Sequence, residues 1–227
     1  MKISVLERVY SFIPYSLNKR LIEKRLNTIR INEQLLSCSV AVSSPSLDLQ
    51  KIVADELDSC VSFIPYCAKP LDNYVCPVSD KQVSRKNRKC LKLNNKKCNI
   101  PCSLGDMVDT LKEKGFTKDR ILIIDRDSNL FPWLEQKKRE GYKYFLPGVG
   151  CHYGVGYALK YIQKEIGMEG CIVFIQDYDP LDSSHGVCKS IFDYNSMEKT
   201  DRGKRTKISD ESLRIIEDIL SGKLNLK

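Results

Sequence analysis

A segment dense in thiols and positive charge but poor in apolar residues sets the terms for this chain. From Cys67 to Cys102 it reads CAKPLDNYVCPVSDKQVSRKNRKCLKLNNKKCNIPC, with five of the ten cysteines at spacings C-x8-C-x13-C-x7-C-x3-C. Eight lysines and arginines fall between residues 81 and 97. Such a stretch cannot bury enough apolar surface to order itself. A loop of about 30 residues is also uncommon in a compact domain unless a function or a bound group holds it. A metal or an iron–sulfur cluster is the expected fastening.

The 227 residues suffice for one large α/β core without disulfide staples. The opening residues MKISVLERVYSFIPYSLNKR carry charge early and have no continuous apolar centre, so no signal peptide is expected. No stretch nears the roughly 18 apolar residues of a membrane span. The expected compartment is therefore the cytoplasm, where ten cysteines point to metal or redox chemistry rather than disulfides. Cys38, at a helix end, and Cys60 and Cys171, at strand starts, read instead as small buried hydrophobes. The net charge of +8 admits an anionic partner, nucleic acid included, but charge of this size mainly serves solubility.

Hydrophobic periodicity predicts helices over 3–12 and 17–36, the second with Leu21, Ile22, Leu26, Ile29 and Leu36 in one stripe. Another helix opens after Pro45 with Ser46 as its cap. The strand CVSFIPY (60–66) precedes the cysteine loop. Beyond the loop come a helix over 103–115 capped by Ser103, strand 121–125, helix 129–141, strand 142–146, helix 154–167, strand 171–176 and a last helix from Ser209 to Gly222. Residues 193–208 read as a polar loop. The alternation predicts an α/β fold: a Rossmann-like parallel sheet of about four strands with flanking helices, an N-terminal helical extension and a cysteine-rich metal loop. The expected division is an N-terminal helical segment (1–58), a cysteine-rich α/β domain (59–192), and a polar loop with the C-terminal helix (193–227).

In an open parallel sheet the ligand crevice lies beyond the carboxyl ends of the strands. Cys67, Cys151 and Cys188 each follow a different predicted strand and so are expected at that edge. CNIPC (98–102) runs into a helix N-terminus, whose N–H groups and dipole are expected to lower the pKa of a nearby thiol. The candidate metal ligands are Cys67, Cys76, Cys90, Cys98, Cys102, Cys151 and Cys188. An all-thiolate set suits a [4Fe–4S] cluster or zinc. Seven thiols exceed the four of a structural zinc site, which tilts the expectation toward iron–sulfur. His152 and His185 are the two histidines, each a ligand, a proton donor or an ordinary polar residue.

Gly148, Gly150, Gly154 and Gly156 form a strand-to-helix turn without a G-x-G-x-x-G fit or a Walker lysine, so close backbone approach to a bound group is the first reading. Asp125, Asp127, Asp177, Asp179 and Asp182 fall at strand ends and read as caps or turns as readily as acid–base groups. The basic run 81–97 could grip phosphates, yet lacks the interleaved aromatics of a single-strand binder. Its charge could equally offset an anionic thiolate cluster.

FIPYC (63–67), Cys76, CNIPCSLGDMVDTLKEKG (98–115), LPGVGCHYGVGYAL (146–159) and PLDSSHGVC (180–188) together resemble the DUF116 family, cysteine-rich prokaryotic proteins of unassigned function. The resemblance spans roughly residues 60–190. It implies metal or cluster binding and no particular reaction. The expected function is iron–sulfur or other metal binding at the carboxyl edge of the sheet, in redox chemistry or cofactor maturation with a protein or redox partner. The alternative is a zinc-stabilised RNA- or protein-binding module, and a metal-free protein with incidental cysteines is a third possibility.

Overall fold

The computed structural model describes residues 40–44, 46–70, 76–79, 86–125, 127–151, 155, 158–159, 161–177 and 206–224. The helices expected over 3–12 and 17–36 lie outside these residues, as do Cys38, Cys188, His152, His185, Gly154, Gly156, Asp179 and Asp182. The described residues form a mixed α/β fold whose elements follow the order β1 (Val40–Val42), α1 (Leu49–Asp55), β2 (Cys60–Pro65), α2 (Ser103–Glu113), β3 (Ile121–Ile124), α3 (Asp127–Arg139), β4 (Tyr144–Gly150), β5 (Glu169–Phe174) and α4 (Asp210–Leu220). Between β4 and β5, helical residues Val155, Ala158, Leu159 and Tyr161 run into a π turn, Ile162–Ile166. Two short strands, β6 (Gln176–Asp177) and β7 (Thr206–Lys207), pair separately.

The main sheet has five strands in the order β1-β5-β4-β2-β3. β2, β3, β4 and β5 run parallel, while β1 pairs antiparallel with β5. The fifth strand is β1, which the sequence reading passed over: three residues are too short to show a period of two. Residues 40–55, expected within the N-terminal segment, thus contribute a strand and a helix to the main core. The chain adds β3 on one side of β2, then returns to add β4 on the other. A Rossmann sheet reverses direction after its third parallel strand, and this one reverses after its second, β3.

Strands buried on both faces read as apolar runs, and two clusters cover the sheet. On one face α1, α2 and α4 bring Leu49, Ile52, Met107, Leu111, Ile216 and Ile219 against Ile64, Ile123 and Val173. On the other, Leu134 of α3 and Leu159 and Ile162 from the segment between β4 and β5 pack against Phe63, Phe145 and Ile172. Placing helices on both faces follows from right-handed crossovers in opposite directions from β2. Cys60 and Cys171 are fully buried in the first cluster, small apolar groups among larger ones.

Two helix starts differ from expectation. Asp48, not Ser46, caps α1 by accepting from the Lys51 N–H at 3.0 Å. Cys102, not Ser103, caps α2, its Sγ accepting from the Gly105 N–H at 3.4 Å. The Ser103 hydroxyl is engaged elsewhere, donating to the Ala68 carbonyl and accepting from the Ile208 N–H. β4 also runs on past its expected end at 146. The pairing with β2 and β5 shifts register between Phe145 and Gly148, and the Ser62 hydroxyl donates to the Pro147 carbonyl inside the irregularity. A bulge is where a strand tolerates proline, which has no N–H for the ladder.

The glycines of this region serve packing. A Cβ on Gly148 would lie 2.3 Å from the Phe63 ring, and one on Gly170 would lie 1.8 Å from the Phe145 carbonyl oxygen. Gly148 is thus explained by a buried aromatic neighbour without a bound phosphate. Gly170→Ala forces β4 and β5 apart, since its obstacle is backbone. A loss of about 3 kcal/mol or more, the upper range for overpacking, is expected in urea denaturation, whereas an Ala at exposed Lys97 changes the midpoint little.

Candidate metal centre

The cysteine loop is fastened to α2 before any ligand is considered. A 3-10 turn, Lys92–Asn94, ends at Asn95 in the left-handed conformation (φ 58°) and lies along α2. The Lys92 ammonium reaches Asp109 at 2.6 Å and Asp106 at 3.2 Å. Lys112 on α2 donates back to the Lys92 carbonyl, and Asn94 Nδ2 donates to the Cys90 carbonyl at 2.8 Å. Leu93 and Cys90 turn inward to the core.

This docking leaves a cavity between the loop and the start of α2. Its lining includes Cys76, Cys90, Cys98 and Cys102, with Lys69 and Gly105 beside them. The volume open to the centres of water molecules is about 20 Å³, room for one small body by the usual measure of roughly 10–15 Å³ per water. Each thiol arrives on a different local structure. Cys76 opens a turn closed by the Ser79 N–H on its carbonyl, Cys90 precedes the 3-10 turn, Cys98 lies in the irregular 96–101 stretch, and Cys102 caps α2. Among the described residues no three His, Cys, Asp or Glu side chains are drawn together as a finished ligand sphere. The four cysteines share a cavity wall.

The donor set fits a thiophilic metal. Four thiolates without a described imidazole or carboxylate in the lining match tetrahedral zinc or a four-iron cluster. Burial pushes the Cys102 thiol up to about 11, and the Gly105 N–H opposes this only in part, while Cys76 and Cys90 raise it further. That overturns the expectation of a lowered pKa at the helix start: desolvation outweighs the N–H groups. Burial likewise raises the Cys90 thiol.

One functional group escaped the sequence reading. Lys69 is 2% exposed at the cavity wall, and its ammonium donates to the Asn87 carbonyl at 2.8 Å and to Asn87 Oδ1 at 2.6 Å. Asn87 Nδ2 in turn donates to the Val78 carbonyl at 3.2 Å, joining the Cys76 turn to the segment that leads into Cys90. A lysine within a lysine-rich stretch carries no local signal of burial.

Cys67 lies in the turn directly after β2, buried in the core, its carbonyl accepting from the Thr206 hydroxyl at 2.9 Å. Cys151 directly follows β4, half-buried, its carbonyl accepting from the Val155 N–H. Both are therefore at the carboxyl edge of the sheet, at the two strands flanking the reversal of order, and neither lines the cavity. Asp125, at the end of β3, accepts from Asn129 at 2.6 Å and meets Arg88 of the cysteine loop at 3.9 Å. Asp127 opens α3 and Asp177 ends β6. Lys92 and Arg88 thus spend basic-run charge on internal carboxylates.

An α/β protein with a four-cysteine cavity on its first crossover helix is what fold and site define. Comparison with protein-family models, with curated proteins and with solved structures finds no match for the chain. No described helix is long and apolar enough to cross a membrane.

The core thiols give a pH signature. Burial lifts Cys60 to about 12 and raises Cys171 as well. Both lie above the value of an unfolded cysteine, about 8.5, so their contribution to stability is complete below that pH and drains away as pH rises toward 12. Urea midpoints should fall between pH 8.5 and 11, and Cys171→Ala should flatten the decline. In native metal-free protein, alkylation followed by mass spectrometry should leave Cys60 and Cys171 unmodified, with Cys102 slow at pH 8 and faster toward pH 11.

Proposed function

We propose that this protein binds a metal through Cys76, Cys90, Cys98 and Cys102, and that the metal holds the basic loop against α2. The carrying observation is the single cavity that these four thiols line. Of the two metals that suit the set, zinc is favoured. Of the seven candidate ligands four line the cavity, while Cys67 and Cys151 lie at the sheet edge and Cys188 falls outside the described residues. A surplus of thiols therefore no longer speaks for [4Fe–4S], and four thiolates serve either metal. The choice rests on the cavity's volume of about 20 Å³, which suits a single ion better than a four-iron cluster. A structural zinc supplies folding free energy directly to a segment without an apolar core of its own.

The resemblance to the DUF116 family and a cytoplasmic setting, which keeps such thiols reduced, belong to the same proposal. So does a relation of the doubly wound sheet to Rossmann-like folds, with Cys67 and Cys151 at the point where such sheets place ligands. Protein prepared without added metal and kept anaerobic should contain about one zinc per chain by elemental analysis. The double substitution of Cys98 and Cys102 by serine should remove it and lower the thermal midpoint. A brown protein with several irons per chain, lost in the same variant, would replace zinc by a cluster at the same ligands. Protein free of both metals, even after reconstitution, would end the reading.

A further inference from the structure

We propose that Lys69 is the charge partner of the four-cysteine centre, its buried ammonium offsetting the negative charge that four thiolates leave around a divalent ion. The inference rests on the metal centre proposed above and assigns it a positioning residue outside the ligand set. Three charged side chains are buried among the described residues: Lys69, Arg120 and Lys137. Arg120 lies near Asp58 and caps the carbonyls of Leu57, Cys60 and Gly115. Lys137 lies between Asp119 and Glu140. Neither lines the cavity that holds Cys76, Cys90, Cys98 and Cys102, and both serve the fold elsewhere. Lys69 is the buried cation that shares a cavity wall with Cys76, Cys90, Cys98 and Cys102.

A divalent ion with four thiolates carries a net charge of −2, by simple addition of the ligand set. A buried charge is tolerated when an opposite charge lies near and its hydrogen bonds are satisfied. Lys69 meets both conditions from the protein's side. Its two contacts to Asn87 fix the ammonium, and Asn87 itself reaches Val78, two residues beyond Cys76. The same hydrogen bonds thus steady the turn that presents Cys76 and fix the ammonium of a residue in the same cavity lining. Groups that orient and electrostatically support metal ligands in this way usually change affinity by about 10- to 100-fold when removed.

Two variants separate charge from clamp. Lys69→Met removes both, while Lys69→Gln removes the charge and keeps a donor for Asn87. Cobalt(II) titration of the full-length apoprotein, read by thiolate-to-metal absorption against a competing chelator, gives the affinity, with thermal unfolding of the metal-free proteins as the folding control. Both variants should bind cobalt on the order of 10- to 100-fold more weakly than the unaltered protein, with Gln no better than Met. Unaltered affinity in Lys69→Gln overturns the inference and leaves Lys69 a purely structural clamp, as does unaltered affinity in Lys69→Met. An unaltered protein that binds no cobalt overturns the inference together with the metal centre itself, so the two failures are told apart.

Discussion

The seating of Lys92 on helix α2 is the contact on which the cavity depends. The loop has little apolar surface to bury: beyond Cys67 and Ala68 at its start, Cys90 and Leu93 are the described residues it buries in the core. Burial of the Lys92 ammonium works against its charge, and the two carboxylates one turn apart on α2 more than restore it, holding its pKa above the usual lysine value. With the backbone of the same residue held by Lys112, one lysine locks both side chain and carbonyl of the 3-10 turn. Cys90 on one side of that turn and Cys98 on the other are thereby brought to the start of α2, where Cys102 already sits.

The sheet decides why this happens at α2. Apolar residues on both faces of the parallel strands demand two helical layers, and right-handed crossovers send the first helix and the second to opposite faces. The loop lies between β2 and α2 in the chain, so it must close over the same face as α2 and near the carboxyl end of β2. Ser103 joins these pieces, its hydroxyl linking Ala68 after β2 with Ile208 before α4. The same topology leaves Cys67 and Cys151 at neighbouring strand ends, apart from the cavity lining.

Much of this was legible in the chain. The strands at 60–65 and 121–124 and the helices at 103–113 and 210–220 have clear periodicity and punctuation, and they fall close to where they were expected. The cysteine spacing marked the loop as the region needing a fastening. Illegible were β1, too short for a pattern, and the continuation of β4 past Pro147, which depends on Ser62 from another strand. Ser209 caps α4 as expected, whereas at α1 and α2 a serine stands within two residues of the group actually used, Asp48 and the Cys102 thiol, and serine and aspartate serve equally well as caps.

What the amino-acid sequence determined by itself is the alternation of apolar strands and amphipathic helices, because burial patterns are written at periods of 2 and 3.6 residues. It also determined that a thiol-rich, basic loop interrupts them. Only the tertiary structure decided that Cys76, Cys90, Cys98 and Cys102 share one cavity while Cys67 and Cys151 remain at the sheet edge. Only it turned Lys69 inward and made the helix-start thiol of Cys102 reluctant to ionise. The reason is physical: proximity across the fold and loss of solvent are properties of the folded surroundings, and no local pattern of residues encodes either.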